Sequence, residues 1–302
     1  MSLYPSFLNL SKKELDRRVQ KTGKLLENCQ VCPRKCGVNR LKGEKGFCKL
    51  GAKAMVSSHH PHFGEESCLV GRRGSGTIFF THCNLACVYC QNYDISQLGV
   101  GAEVDAEELA QMMIELQNFE CHNINFVTPT SQVSQILEAL PVAIEKGLKI
   151  PLVYNTNGYD SVETLKLLDG IIDIYMPDAK YADNEVAQKY SSAPDYFDRM
   201  KKAICEMHRQ VGDLIIENGI AKRGLLIRHL VLPNGLAGTQ KVIEFLAREI
   251  SPNTFVNIMD QYRPCWKANQ YPEIARPITA YEYQEAREIA KRAGLTLSNI
   301  KY

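Results

Sequence analysis

Thr77-Ile-Phe-Phe-Thr-His-Cys-Asn-Leu-Ala-Cys-Val-Tyr-Cys-Gln-Asn92 runs from a short apolar stretch straight into Cys83, Cys87 and Cys90, spaced C-x3-C-x2-C. The next cysteine is far away, at position 121. A cubane iron–sulfur cluster normally takes four thiolates. Three of them closing one short loop leave one iron open to a substrate or cofactor. A closed cluster stores or relays electrons, whereas an open iron does chemistry. The loop also begins where an apolar run ends, which places it at the end of a strand.

Beyond this loop, short apolar runs alternate with amphipathic stretches. The pattern predicts strands over 77–81, 123–127, 152–155, 171–176, 225–231 and 255–259. Helices are expected between and after them, over 106–117, 132–146, 162–168, 196–211, 238–249 and 280–293. Asp105-Ala-Glu-Glu108 and Ser11-Lys-Lys-Glu14 have the form of capping boxes, the second opening a helix that runs to about Leu26. Strict alternation of strand and helix implies a parallel sheet with right-handed crossovers. Six units rather than eight imply an α/β fold of the partial (β/α)6 TIM-like barrel type. Residues 1–70 then form a helical and cysteine-rich appendage, and residues 71–302 the barrel. In such a barrel the chemistry sits at the C-terminal ends of the strands, where the cysteine loop falls.

The chain has 302 residues, of which 45% are hydrophobic and 23% charged, enough for a full core. A net charge of +2 without a long basic run gives no footprint for nucleic acid or an anionic membrane. Met1-Ser-Leu-Tyr-Pro-Ser-Phe-Leu8 has no apolar signal-peptide core, and no later stretch is long enough to span a bilayer. Eleven cysteines in that setting argue for metal in a reducing cytoplasm, not disulfides. Oxygen sensitivity of such a cluster adds the expectation of anaerobic or microaerobic life. Cys29, Cys32, Cys36 and Cys48 form a second, four-thiolate group in a segment with few apolar residues; zinc is expected there, or else a second cluster. Ser58-His-His-Pro-His-Phe-Gly-Glu-Glu66 is dense in histidine, and His59, His60 and His62 either bind metal or cover the open side of the barrel.

The three-cysteine spacing, with the aromatic Tyr89 just before the last cysteine, resembles the radical S-adenosylmethionine (SAM) superfamily. The resemblance implies a 4Fe–4S cluster on Cys83, Cys87 and Cys90 whose open iron binds the amino and carboxylate groups of SAM. Tyr154-Asn-Thr-Asn-Gly-Tyr159 and Tyr175-Met-Pro-Asp-Ala-Lys180, at the third and fourth strand ends, are similar to loops of the enzymes that activate pyruvate formate-lyase and other glycyl-radical enzymes. That likeness covers about 70–265. It implies a monovalent cation held by Asn155, Thr156, the Met176 carbonyl and Asp178, with Asn155 standing where those enzymes have aspartate. It also implies that Tyr89 contacts SAM and that Lys180 and Arg228 face its carboxylate and ribose. Thr128-Pro-Thr-Ser131 replaces the usual glycine- and acid-containing segment, so Thr128 and Thr130 either bond the SAM amino group or merely cap a helix.

Arg228 lies in an apolar strand, where an unpaired charge costs several kcal/mol, and His229 alternates to the opposite face. Gln261, Tyr262 and Arg263 either close an adenine pocket or serve structure, and Cys265 reads as a small hydrophobe more than a reactive thiol. Three functions follow. The first is a glycyl-radical activase, supplied with electrons by a flavodoxin or ferredoxin and acting on a partner enzyme. The second is a radical SAM enzyme acting on a small molecule or another peptide. The third is a non-catalytic zinc protein, with His82 completing the set of Cys83, Cys87 and Cys90.

Overall fold

The computed structural model describes residues 4–298; part of the N-terminal stretch, Met1-Ser-Leu3, lies outside the described residues. Before the barrel come α1 (Lys12–Glu27), β1 (Ala54–His62) and α2 (Ser67–Val70). The barrel follows as β2 (Ser75–Phe80), α3 (Tyr93–Ser96), β3 (Ala102–Val104), α4 (Ala106–Asn118), β4 (Ile124–Val127), α5 (Val133–Glu145), β5 (Leu152–Thr156) and α6 (Val162–Leu165). Its second half is β6 (Ile174–Pro177), α7 (Asn184–Ser191), α8 (Tyr196–Val211), β7 (Ile215–Glu217), β8 (Ile220–Leu230), α9 (Thr239–Phe245), β9 (Phe255–Met259), α10 (Ala280–Arg292) and β10 (Thr296–Leu297).

The sheet order is β10-β9-β8-β6-β5-β4-β2-β1-β3, with β7 beside β8. From β2 to β10 the neighbours along that order are parallel, and the chain does not close on itself. This is the expected partial barrel. Strands β5 and β6 are buried along their whole length, as strands covered on both faces must be. Asp105 and Glu108 exchange both bonds of a capping box at α4. At α1 only half of the box forms: Ser11 caps Glu14, but the Glu14 carboxylate is taken by Arg17 and Arg18.

Alternation along the strands separates two cores. Ile78, Phe80, Phe126, Tyr154, Tyr175 and Ile227 point outward, under the helices, in a large core that also holds Phe7, Leu15 and Leu26 from the N-terminal segment. Val153, Ile174, Met176 and Leu226 point inward, and there Cys68 and Leu69 of α2 pack onto them. The segment before β2 therefore plugs the floor of the barrel.

Strand β1 corrects the reading of the histidine stretch. It pairs antiparallel with β2, His59 opposite Ile78 and His60 opposite Thr77. Proline and histidine hid the strand in the sequence. They are tolerated because β3 pairs only with residues 54–56, which leaves the far side of Pro61 without a ladder to break. The expected boundary at residue 70 thus falls between two strands of one sheet. The fourth predicted strand begins later than expected, at Ile174, because Ile171 and Ile172 turn back to the Leu168 carbonyl.

Candidate active site

Strand β2 delivers the chain to its C-terminal end, where Thr81 N–H bonds the Met55 carbonyl at 2.9 Å and His82 takes a left-handed turn (φ 64°). The loop that follows surrounds its three sulfurs with neutral donors. Cys83 Sγ accepts from Asn157 Nδ2 at 3.2 Å and from the Leu85 N–H at 3.3 Å. Cys87 Sγ accepts from Ser191 Oγ at 2.9 Å, and Cys90 Sγ pairs with Ser96 Oγ at 3.1 Å. Burial pushes the Cys83 thiol up to about 12 and the Cys87 thiol to about 11, with Lys180 pulling Cys87 the other way. Free thiols here would stay protonated, whereas coordination to a metal deprotonates them outright. Three soft ligands with donors aimed at their sulfurs suit an iron–sulfur cluster, and the spacing leaves one iron without a thiolate.

The loop is held from two sides. Tyr89 is buried, and its hydroxyl meets the Tyr181 hydroxyl at 2.5 Å, which continues to Ser191 at 2.7 Å. From the segment after β9, Tyr262 packs edge-on against Tyr89, Trp266 stacks on Tyr93, and the Lys267 N–H bonds the Val88 carbonyl. The Gln261 carbonyl accepts from Gln91 at 2.8 Å. Gln261 and Tyr262 therefore serve to clamp the cysteine loop.

Next to it, the ends of β5, β6 and β8 bring Asn155, Asp178, Lys180 and Arg228 together. Arg228 donates to Asp178 Oδ1 at 2.9 Å and to Asn155 Oδ1 at 2.6 Å, and Lys180 Nζ reaches Asp178 Oδ2 at 2.5 Å. Burial alone would raise Asp178; Arg228 and Lys180 outweigh it and hold the carboxyl below its ordinary value. Likewise burial would lower Lys180, but Asp178 holds it above its usual value. Gly158 keeps the β5 and β6 loops close: it has φ 80°, and a Cβ there would run into the Asp178 carbonyl. The pair is a buried one and not a surface salt bridge.

Of the side chains expected around a monovalent cation, Asn155 and Asp178 meet here and Thr156 does not. Asn155 and Asp178 are engaged by Arg228 and Lys180. Thr156, one residue along the strand, turns to the other face, where its hydroxyl donates to Asp160 at 2.6 Å and meets Thr130 at 2.9 Å. Met176 packs inward, in the floor of the barrel. Thr130 therefore supports Asp160 and does not cap α5, which starts without a side-chain cap. Thr128 has φ 62°, a strained conformation for a β-branched residue, at the mouth of the barrel.

The sequence marks Glu65 and Glu66 only as part of the histidine-dense stretch and does not show their partners. Glu65 lies 3.6 Å from Arg228 and accepts from Asn155 at 3.3 Å, while Glu66 accepts from Asn257 at 2.9 Å. Burial raises the Glu66 carboxyl. The partners of both lie far away in sequence. Asn157 was within reach, because it sits inside the quoted Asn-Thr-Asn-Gly stretch. Of the histidines, His59 bonds Glu115 on the outer face at 2.8 Å, while His60 and His62 pack on Phe79 on the inner one. His82 lies against Gly99, with Lys49 and Lys45 as its charged neighbours. Among the described residues no three His, Cys, Asp or Glu side chains are gathered tightly enough to hold a single metal ion. Neither the zinc set with His82 nor a histidine metal site forms.

A radical SAM superfamily model matches residues 77–216, which begin on β2 and include the cysteine loop and the ends of β4, β5 and β6. The chain is 36% identical over 293 residues to the uncharacterised protein MJ0674 of Methanocaldococcus jannaschii, covering 94% of this chain and 80% of that one. The chain belongs to the radical SAM superfamily. A 4Fe–4S cluster and SAM are thus its cofactors, and Cys83, Cys87 and Cys90 have the arrangement to hold the first.

Among solved structures, the chain is similar to anSMEcpe with bound AdoMet (TM-score 0.50, 15% identity, 72% of this chain and 60% of that one). It is also similar to a radical SAM methyltransferase from Sphaerobacter thermophilus (TM-score 0.49, 14% identity, 73% of this chain and 64% of that one). The chain spans about three fifths of the length of these structures. At 15% identity the likeness to anSMEcpe bears on fold alone, and no helix among the described residues is long and apolar enough to cross a membrane.

Proposed function

We propose that this protein cleaves SAM reductively and uses the product to abstract hydrogen from a glycine of a partner enzyme, as a glycyl-radical activase. The observation that carries the reading is the buried Asp178–Lys180–Arg228 group, set beside the cysteine loop by the two strand-end sequences that resemble the activating enzymes. When bound, the cluster supplies one electron to the SAM sulfonium, which splits into methionine and a 5′-deoxyadenosyl radical.

The chain's own residues bind and orient. Lys180 and Arg228 carry the positive charge for the SAM carboxylate, with Asp178 and Asn155 fixing their directions. Thr128, at the mouth of the barrel, faces the approach to the amino group, and Tyr89 supports the loop on which the adenine rests. A flavodoxin or ferredoxin is the electron donor in this scheme. Mixing reduced protein, SAM and a glycyl-radical enzyme encoded nearby should give a glycine-centred doublet by electron paramagnetic resonance; 5′-deoxyadenosine made without that doublet, for every such partner, would remove the activase reading.

A second reading has its own support. His60, His62, Glu65 and Glu66 come from the segment before β2 and face the inside of the barrel, a lining suited to a small polar molecule or another peptide. Release of 5′-deoxyadenosine that depends on such a substrate, with no protein radical, would favour it.

A further inference from the structure

The segment around Cys36 and Cys48 is charged unlike the rest of the chain. Residues 34–53 hold seven lysines and arginines and one acid, Glu44, whereas the whole chain is only +2. The remainder is therefore net negative, and the positive field is local. Lys42, Lys45 and Lys49 are exposed, and no ion pair among the described residues includes them. The Glu44 carboxylate is taken by the Asn39 N–H at 2.7 Å. This patch adjoins the cysteine loop. Lys49 and Lys45 are the charged neighbours of His82, the residue before Cys83, and His82 lies against Gly99. On either side of Gly99, Leu98 and Val100 are 58 and 57% exposed, and Phe47 is 40% exposed among the lysines. Asp94, the one acid of residues 82–101, accepts from the Ile95 N–H. Behind Phe47 the Arg34 guanidinium lies 3.7 Å from the ring centre, and Arg34 Nε donates to the Asn84 carbonyl at 2.8 Å. One side chain thus separates this surface from the loop.

Sheet order sets the patch apart from the buried Asp178–Lys180–Arg228 group. Strands β5, β6 and β8, whose ends carry that group, lie on one side of β2, and β1 and β3 lie on the other. Lys49 leads into β1, and Gly101 abuts the Val56 carbonyl of β1 just before β3. A molecule seated here comes close to Cys83 and leaves the side of Lys180 and Arg228 free. Exposed apolar side chains among lysines suit a protein surface, whereas a phosphate backbone asks chiefly for charge. Lysines without carboxylate partners call for an acidic one. We propose that Lys42, Lys45 and Lys49, together with Phe47, Leu98 and Val100, dock the protein that supplies the electron, an acidic one-electron carrier with a flavin or iron–sulfur centre. Such docking presupposes the SAM-cleaving role of Cys83, Cys87 and Cys90. In the step the carrier loses one electron, the cluster goes from +2 to +1, and no bond is made or broken.

The test compares K42E/K45E/K49E with the wild type, each as the full chain reconstituted anaerobically, under two reductants. One is dithionite; the other is a recombinant flavodoxin kept reduced by its NADPH-dependent reductase. With dithionite the two proteins should form 5′-deoxyadenosine at equal rates, which also shows that the variant is folded. If the triple variant fails there, K45A/K49A takes its place. With flavodoxin the variant should be slower by about 10- to 100-fold, and its dissociation constant for oxidised flavodoxin, measured by calorimetry at low salt, should rise in step. Added salt should slow the flavodoxin-driven wild type and leave the variant nearly unchanged. Equal rates and equal affinities with flavodoxin overturn the proposal. So does a wild type that accepts electrons from dithionite but from neither flavodoxin nor a reduced acidic ferredoxin. A variant whose one loss is radical transfer to a partner enzyme assigns the patch to that enzyme and overturns it as well. Failure of the SAM-cleaving reading would look different: the wild type would make no 5′-deoxyadenosine with either reductant.

Discussion

Two cysteine groups lie on either side of Asn84, and they are built in opposite ways. Cys83, Cys87 and Cys90 close a short loop at a strand end and receive neutral donors: an amide, a hydroxyl and backbone N–H. Their charged neighbours, Lys180 and Arg228, are turned to Asp178 and the space beside the loop. Cys29, Cys32, Cys36 and Cys48 lie together in the N-terminal segment, with Arg34 and Arg40 beside them. Three thiolates leave a coordination position for a ligand, and four leave none. The lesson is that ligand count separates a centre left open for chemistry from one that is closed.

The sharpest way to break the comparison is a pair of single substitutions. Cys87→Ala should abolish formation of 5′-deoxyadenosine. Cys32→Ala should leave the SAM-sensitive signal of the first centre in place; equal loss of that signal in both variants would erase the distinction. Next in size is Arg228→Ala, which strips the larger cation from a buried carboxylate. Removing one partner of such a pair costs about 3–5 kcal/mol, read as a fall in the urea midpoint, and SAM binding should be lost with it. Arg228→Lys should recover only part of either, because one ammonium cannot span Asp178 and Asn155 at once.

His229 tests the scaffold under the first site. It is fully buried, donating from Nδ1 to the Ala179 carbonyl and accepting at Nε2 from Thr239, and burial pulls its pKa down to about 4. A depressed pKa means stability that is complete above the unfolded value near 6.5 and drains away as the pH falls toward 4. By pH 5 the loss should be about 2 kcal/mol, measured by urea unfolding against pH 7.5, and His229→Gln should flatten that slope. The smallest effect is expected at Asn157. Asn157→Ala removes a donor from Cys83 and should weaken retention of the first cluster by ~10-fold, measured as iron loss to a chelator.

Much of this was legible in the chain. Six of the parallel strands followed from alternation, and a spacing of two in an extended segment put Lys180 on the same side as Asp178. Arg228 was legible because a charge in an apolar strand demands a partner. Strand β1 was hidden by its histidines and proline, which read as a loop until the ladder with β2 is seen. Glu65 and Glu66 stood out only as part of the histidine-dense stretch; their partners were hidden because Arg228 and Asn257 reach them only across the closed fold. Of the residues expected around a cation, Asn155 and Thr156 serve different networks, because neighbouring strand residues take opposite faces. No pattern in the sequence separates a closed cluster from a tetrahedral zinc, since both use four cysteines.

The most direct measurement is the product of one turnover. Anaerobically reconstituted protein, reduced and given SAM, should form 5′-deoxyadenosine and methionine in equal amounts, and Cys87→Ala should form neither. Protein that carries a reducible 4Fe–4S cluster on Cys83, Cys87 and Cys90, yet leaves SAM intact, would contradict the account.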